Sequence, residues 1–196
     1  MYSLGQQGRA VGEVIGELTE KRANDLRWAD GRTFGMVYDG GPSVHAVAEQ
    51  AARLYLHENA LNTQAFPSLA EIQREVVGWT ASLLCGDDNV AGFLTSGGTE
   101  SILCAVLAAR ERAAVERSVT EPEIVLAESA HAAFHKAAHN FGLVVRKAPV
   151  RADFTADVDA MAQMVNANTA IVVGSAPQYP HGVQDDIQAI AASAAS

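Results

Sequence analysis

The chain has 196 residues, 48% of them apolar and 19% charged, which suffices for the core of one domain or of part of a larger one. The formal net charge of −9 argues against a nucleic-acid partner held by phosphate contacts. No apolar run reaches the length that crosses a bilayer, and residues 1–5 have neither the basic nor the apolar region of a signal peptide.

The N-terminal 58 residues predict a helical segment. An amphipathic helix is expected over residues 9–29, with one apolar side. That side consists of Val11, Val14, Ile15 and Leu18. Such a helix could serve as an arm that packs on a partner subunit. Residues 33–38 are expected to be short and partly extended. Ser43 is expected to cap a second helix that ends near Leu56.

Residues 59–196 predict the first, incomplete part of a larger ligand-binding domain. Residues 59–67 are polar and irregular, and they do not have the composition of a plain linker. Ser68 and Glu71 have the spacing of a capping box, which predicts a third helix that ends near Leu84.

From residue 90 onward, apolar strands alternate with helices. The expected strands are 90–94, 123–127, 143–147 and 169–174, and the expected helices are 99–117, 130–140, 157–165 and 183–196. This alternation predicts an α/β fold with a mostly parallel sheet and helices on both faces. Ligands of such sheets bind at the carboxyl ends of the strands. The chain stops at Ser196 in an Ala/Ser run, so we expect an interrupted domain whose unpaired sheet edge folds poorly alone.

Residues 95–100, Thr-Ser-Gly-Gly-Thr-Glu, lie between an expected strand and an expected helix. Glycines let the backbone approach an anion, and the first N–H groups of a helix point at it. Ser96 or Thr99 could add a hydroxyl donor. No lysine follows the glycines, so the segment is not a Walker P-loop. An anion site and an ordinary capped turn both fit this pattern.

His131, His135 and His139 are spaced four residues apart, so they share one side of the expected helix. Three interpretations are open: a metal site, a half-exposed face with one buried histidine, or a ligand pocket faced by His131 alone. We favour no metal, because no carboxylate has the HExxH spacing. Lys136 falls on a different side and is expected to face solvent or an interface.

Two further features have a structural and a chemical interpretation. His181 lies in a loop with two prolines and a glycine, and it could carry a proton or, as we favour, bond the backbone. Cys85 and Cys104 lie in apolar surroundings without CxxC spacing. We expect both to be buried thiols in a reducing cytoplasm rather than catalytic residues.

Three segments together resemble one family, the pyridoxal-phosphate-dependent group II decarboxylases, and within it the sphingosine-1-phosphate lyases. They are residues 95–101, 129–138 and 176–182. Residues 59–67 and 34–38 are similar to segments that precede the catalytic domain in that lyase group. The resemblance covers most of the chain from about residue 30 onward.

The resemblance implies a fold-type I, transferase-like large domain that forms a homodimer and binds pyridoxal 5′-phosphate at the strand ends. By this match, Gly97, Gly98 and Thr99 would hold the cofactor phosphate. His131 would stack on the pyridine ring as the catalytic-site histidine. The implied reaction is a retro-aldol cleavage of a phosphorylated sphingoid base, a small-molecule substrate, to a long-chain aldehyde and phosphoethanolamine.

Tyr38 and Asn59 match positions near the substrate in the family. The family usually has histidine where this chain has Asn62, which weakens the case for a sphingoid substrate over an amino acid. The lysine that binds the cofactor covalently and the aspartate that pairs with the pyridine nitrogen lie downstream of the third segment in the family. Lys136 and Lys147 do not match that lysine, so we expect this chain to be a fragment that is inactive alone.

Two alternatives remain beside the lyase. One is an amino-acid decarboxylase of the same family, which would release carbon dioxide rather than an aldehyde. The other is a non-catalytic binding module that pairs with a full-length relative. The module predicts a cooperative melt of the chain alone and no imine absorbance with pyridoxal phosphate.

Overall fold

A computed structural model of the chain describes residues 7–33 and 35–194. The expectations for residues 1–5, for Phe34 and for the last two residues lie outside the described residues. The chain divides into two compact units, Met1–Pro67 and Ser68–Ser196. Among the described helices, none combines the length and apolarity needed to cross a bilayer.

Unit 1 is helical. Helix α1 spans Val11–Lys21 and is followed by two short 3₁₀ helices, Arg22–Asn24 and Trp28–Asp30. The single helix expected over residues 9–29 is therefore shorter and broken after Lys21. Helix α2 spans Pro42–Leu54, two residues short of the expected end.

The expected serine caps are wrong at both helices. Helix α2 begins at Pro42 and has Gly41 as its N-cap, while the Asp39 carboxylate accepts the Gly41 N–H at 2.8 Å. Helix α3, Pro67–Leu83, likewise begins at a proline. Proline is favoured at the first helical position because its missing N–H has no helical partner there. Ser43 and Ser68 are therefore second residues within their helices.

Unit 2 contains a three-stranded parallel sheet in the order β2-β1-β3. Its strands are β1 Glu123–Ala127, β2 Val144–Ala148 and β3 Thr169–Val173. The helices are α4 Gly98–Arg117, α5 Ala132–Phe141, α6 Val158–Met164 and α7 Ile187–Ala194. The predicted α/β class and the alternation from residue 123 onward are confirmed.

Strand β1 separates two apolar clusters because successive side chains point to opposite faces. Ile124 and Leu126 pack with residues of α4 and α5. Val125 and Ala127 pack with the other cluster, which includes Met161 of α6 and Ile190 of α7. All four of these β1 side chains are buried. Helices therefore cover both faces of the sheet, as expected.

The strand expected at residues 90–94 does not form. Phe93 is 61% exposed and Leu94 is 50% exposed, and no strand of the described residues lies beside them to complete a ladder. The Leu94 N–H instead donates to the Gln73 side-chain oxygen at 3.2 Å. An apolar run becomes a strand only where a neighbour accepts its backbone hydrogen bonds.

Cys85 is exposed rather than buried. It has a left-handed backbone (φ 56°) just after α3, and the Gly86 N–H donates to the Ala81 carbonyl at 2.8 Å. The Cys85 N–H donates to the Ser82 carbonyl at 3.2 Å. This pair of bonds is a Schellman motif, which places the residue at the end of the helix in solvent. Cys104, on α4, is half-buried.

Helix α4 runs antiparallel to the strands. At its C-terminal end, Arg117 donates to the Thr169 carbonyl at 2.8 Å, at the amino end of β3. A 20-residue helix is about 30 Å long and a five-residue strand about 17 Å. The N-terminus of α4 therefore reaches the carboxyl edge of the sheet or extends past it.

Candidate functional site at the carboxyl edge of the sheet

The turn before α4 is fixed by its own side chains. The Thr95 hydroxyl donates to the Gly97 carbonyl at 3.0 Å and lies 2.6 Å from the Ser101 hydroxyl. The Glu100 carboxylate turns back and accepts the Ser96 N–H at 2.6 Å. Hydrogen bonds from the Ser96 hydroxyl and N–H hold the pKa of Glu100 below its usual value. The Glu100 carboxylate is thus charged and already bonded to Ser96, in the segment that precedes the helix.

The first turn of α4 keeps its donors free. The N–H groups of Gly98, Thr99 and Glu100 have no acceptor among the described residues, as is usual for a helix N-terminus. A Cβ added at Gly97 or Gly98 would meet no atom within 4 Å. Free N–H groups beside open space, at the positive end of a 20-residue helix, suit an anion such as a phosphate.

His131 is the N-cap of α5, immediately beyond the carboxyl end of β1. Its Nδ1 accepts the Ala133 N–H at 3.1 Å, so the neutral ring has its proton on Nε2. The side chain is exposed, and its orientation is set by the cap. A flat, fixed and accessible ring can stack on a flat ligand.

The packing of α4 against α5 brings these two features to one edge. Ile102 and Leu103, in the first two turns of α4, pack against the same core cluster as Ala130 and Phe134, which flank His131. The cradle at residues 97–99 and the ring of His131 therefore both lie at the carboxyl ends of the strands.

The other two histidines of α5 do not form a metal site with His131. His135 is half-buried and His139 is exposed, and the described residues contain no group of three His, Cys, Asp or Glu that could hold a metal. Lys136 is exposed, as expected. Lys147, on β2, lies 3.7 Å from the Glu128 carboxylate.

The segment after β3 reaches the same edge and contains a buried polar network that the sequence did not reveal. Gln178 is 2% exposed and bonds His181 through both ends of its side-chain amide. Asp185 is 3% exposed and accepts the N–H groups of Ser175 and Ala156, each at 2.9 Å. Gln178 lies in the segment 176–182 without having been singled out there, and Asp185 belongs to no motif. His181 is an exposed residue whose ring bonds the Gln178 side chain rather than the backbone that was expected as its partner.

Tyr38, Asn59 and Asn62 belong to unit 1. Tyr38 is 91% exposed. The Asn59 side-chain oxygen accepts the Leu61 N–H at 3.1 Å, and that of Asn62 accepts the Gln64 N–H at 3.0 Å. Both asparagines thus shape the irregular segment that the sequence predicts. Substrate contact by Tyr38 and Asn59 stays a prediction.

Comparison with known proteins shows one family. The model of the pyridoxal-dependent decarboxylase conserved domain matches residues 6–179. Sphingosine-1-phosphate lyase 1 of Mus musculus is 41% identical over 189 residues, which is 96% of this chain and 33% of that protein. A probable L-aspartate decarboxylase of Halobacterium salinarum is 38% identical over 151 residues, or 77% of this chain and 41% of that protein.

A solved structure gives the same result. The sphingosine-1-phosphate lyase of Burkholderia pseudomallei has a TM-score of 0.92 and 37% identity, and the match covers all of this chain and 47% of that one. The resemblance drawn from the sequence is thereby confirmed. The chain spans about a third of the length of the curated lyases that it matches.

Proposed function

Because the chain belongs to the pyridoxal-dependent decarboxylase family, we propose that it carries the phosphate-binding part of a carbon–carbon lyase site. The proposed substrate is a phosphorylated sphingoid base or a similar amino alcohol phosphate. A retro-aldol cleavage releases an aldehyde and phosphoethanolamine. The similarity to sphingosine-1-phosphate lyases carries this proposal, because it extends over 96% of the chain and includes the residues of the cradle.

Pyridoxal phosphate is the cofactor that the residues at the carboxyl edge suit. The N–H groups of Gly98 and Thr99 would hold its phosphate, with Gly97 leaving room for the approach and the Thr99 hydroxyl as a further donor. When bound, the cofactor supplies an electron sink for the charge left as the carbon–carbon bond breaks. The residues of the cradle and His131 would fix the orientation of the cofactor.

His131 holds the pyridine ring in this proposal. The cap bond from Ala133 fixes the imidazole plane without using its faces, so one face is available for stacking. The Nε2–H stays available as a donor to an oxygen of the cofactor or substrate. Tyr38 and Asn59 are proposed to contact the substrate.

We propose a homodimer in the cytoplasm as the working form. The apolar side of α1 supports the dimer, because Val11 is 79%, Ile15 is 56% and Leu18 is 52% exposed. Burial of such a side against a second copy would remove apolar area from water.

A decarboxylase is the second candidate. Asn62 replaces the histidine that the lyase group usually has, and the Halobacterium salinarum relative is named a probable decarboxylase. In this candidate the same cradle and ring partner hold the same cofactor. The two candidates differ in the substrate and in the bond that is broken.

Product analysis of the complete gene product separates the two. We expect a phosphorylated sphingoid base to give equal amounts of long-chain aldehyde and phosphoethanolamine, without carbon dioxide. Carbon dioxide from an amino acid, with no aldehyde from the sphingoid base, would replace the lyase by the decarboxylase. The absence of both products would remove the catalytic proposal.

A further inference from the structure

The imidazole of His181 is held in one orientation by the buried side chain of Gln178. The Gln178 Oε1 accepts the His181 backbone N–H at 2.8 Å, and its Nε2 lies 2.9 Å from the His181 Nδ1. Gln178 is also fixed by its backbone, whose N–H donates to the Val183 carbonyl at 2.9 Å and whose carbonyl accepts the Gly182 N–H at 3.0 Å. The amide is thus a rigid partner for the ring.

These bonds determine where the imidazole proton lies. A backbone N–H can only donate, so the amide atom that faces the His181 N–H is the oxygen. The other amide atom is then the nitrogen, which donates to Nδ1. An Nδ1 that accepts leaves the neutral ring with its proton on Nε2. A proton on Nδ1 would set two N–H donors against each other at 2.9 Å.

One ring face is covered by an unusual residue. The ring of Phe154 stacks on His181 with centroids 4.4 Å apart and planes 15° apart. Phe154 has a left-handed backbone (φ 66°), which is strained for a bulky side chain and persists only where the surroundings fix it. The Gln178 Nε2 lies 3.4 Å from the Phe154 carbonyl, so the same amide bonds both residues of the stack.

The segments that carry this pair are bound to the carboxyl edge of the sheet. Asp185 accepts the N–H of Ser175, two residues after the end of β3, and that of Ala156, two residues after Phe154. His181 is an exposed residue, and its ring is therefore held at the edge where α4 and α5 begin, with no described partner on Nε2. The His181 ring thus has its proton fixed on Nε2, its Nδ1 bonded to Gln178 and one face covered by Phe154. This arrangement suits a hydrogen bond from Nε2 to a ligand.

We propose that His181 contacts the substrate through its Nε2–H, as a donor to a phosphate or hydroxyl oxygen, and that it is not the base of the reaction. The assignment rests on the proposed function for the identity of the substrate. Gln178 and Phe154 are positioning residues in it. The Nδ1 is occupied and Nε2 already carries the proton, so the ring offers a donor and no free acceptor.

A pair of variants of the complete gene product tests the contact. His181→Phe keeps a flat ring on Phe154 and loses the N–H, whereas His181→Gln keeps an N–H near the position of Nε2 and loses the ring. We expect kcat/KM to fall at least tenfold in His181→Phe and no more than about threefold in His181→Gln, since one such bond corresponds to about a factor of ten. The reverse order would show a packing role and overturn the proposal.

A second measurement needs no turnover. The ¹⁵N resonances of His181 in the wild-type protein should show the Nε2–H form, and those of Gln178→Met should show a mixture of both forms. The Nδ1–H form in the wild type would overturn the proposal whatever the substrate. If the wild type releases carbon dioxide instead of aldehyde, the lyase fails, and the same two His181 variants decide the contact in that assay.

Discussion

Glu123 shows how a single buried charge is stabilised in this fold. Its side chain is 5% exposed and accepts from Arg146 at 2.6 and 3.0 Å and from Asn166 at 2.8 Å. The hydrogen bonds from Arg146, followed by that from Asn166, hold the pKa of Glu123 below its ordinary value of 4.5. These bonds join the amino end of β1 to the middle of β2 and to the loop before β3.

Glu123→Gln should lower the stability of the complete gene product at pH 7 by about 2 kcal/mol, because the charged hydrogen bonds are lost. Because the pKa of Glu123 is lower in the folded protein than in the unfolded chain, the extra stability of the wild type over the variant is complete above pH 4.5. This extra stability is lost as the pH falls below 4.5 and through the pKa of Glu123 in the folded protein. Urea unfolding from pH 7 to pH 4 checks this.

The matched control is Glu116→Gln. Glu116 pairs with Arg112 at 2.8 Å on the exposed surface of α4, where water and salt screen the pair and its contribution to stability is small. Equal losses in the Glu123 and Glu116 variants, or a Glu123 loss that does not shrink toward pH 4, would contradict the role given to burial.

His131 has a structural and a proposed ligand role that two substitutions separate. Asn is a good N-cap, so His131→Asn should keep the bond to the Ala133 N–H and the melting temperature while it weakens pyridoxal phosphate binding. His131→Ala should lose both the ring and the cap, with a further cost of about 1 kcal/mol. Cofactor titration and thermal melts measure the two effects. Unchanged cofactor affinity in His131→Asn would remove the stacking role.

At the scale of elements, one substitution at the N-terminus of α4 should separate stability from cofactor binding. Gly98→Ala should leave stability unchanged or slightly higher, because its Cβ meets no atom within 4 Å and alanine suits a helix. Its methyl group would enter the space over the free N–H groups. Pyridoxal phosphate affinity of the complete gene product should therefore fall at least tenfold, which equilibrium titration measures.

Gly78→Ala is the control for that substitution. Gly78 lies in α3, and a Cβ there also meets no atom within 4 Å. This variant should gain helix stability, by up to about 1 kcal/mol, and bind the cofactor as the wild type does. Equal binding of pyridoxal phosphate by the Gly98 and Gly78 variants would show that the phosphate does not bind at residues 97–99.

Periodicity predicted the elements that pack on one another. Strand β1 matched its prediction because all five of its residues are buried, and a continuous apolar run gives that signal. The run at residues 90–94 gives the same signal without a neighbouring strand, so its prediction as a strand was wrong. Sequence pattern reports what a segment can bury and does not report which segment pairs with it.

The proposed ligand contacts rest on local sequence pattern and stay predictions. Gly97 and Gly98 were singled out as a glycine pair before a helix, and that helix, α4, is present although the strand expected before it is not. His131 was singled out by its place before α5. Gln178 and Asp185 were missed because each also bonds a distant part of the chain: Gln178 bonds Phe154, 24 residues away, and Asp185 bonds Ala156, 29 residues away. Buried polar networks of this kind depend on the folded arrangement, and no local spacing encodes them.

At the scale of the molecule, the exposed side of α1 predicts self-association. Ile15→Glu would place a charge in the proposed dimer interface, so we expect the complete gene product to elute as a monomer in size-exclusion chromatography with light scattering. Glu20→Lys also changes a charge on α1, but on its polar side, and should stay dimeric. A dimer that persists in Ile15→Glu would exclude α1 from the interface.

The match to a lyase structure extends over the whole chain, at a TM-score of 0.92. We propose the carboxyl edge as the place where cofactor and substrate meet. The chain covers 47% of that structure, so the activity of the whole enzyme stays a proposal. The residues at that edge, Gly98, Thr99 and His131, are proposed to bind the phosphate and to orient the ring.

A crystal structure of the complete gene product with pyridoxal phosphate tests this account most directly. The account predicts the phosphate within hydrogen-bond distance of the Gly98 and Thr99 N–H groups, and the pyridine ring stacked on the imidazole of His131. A phosphate bound away from the N-terminus of α4, or a ring that does not touch His131, would contradict it.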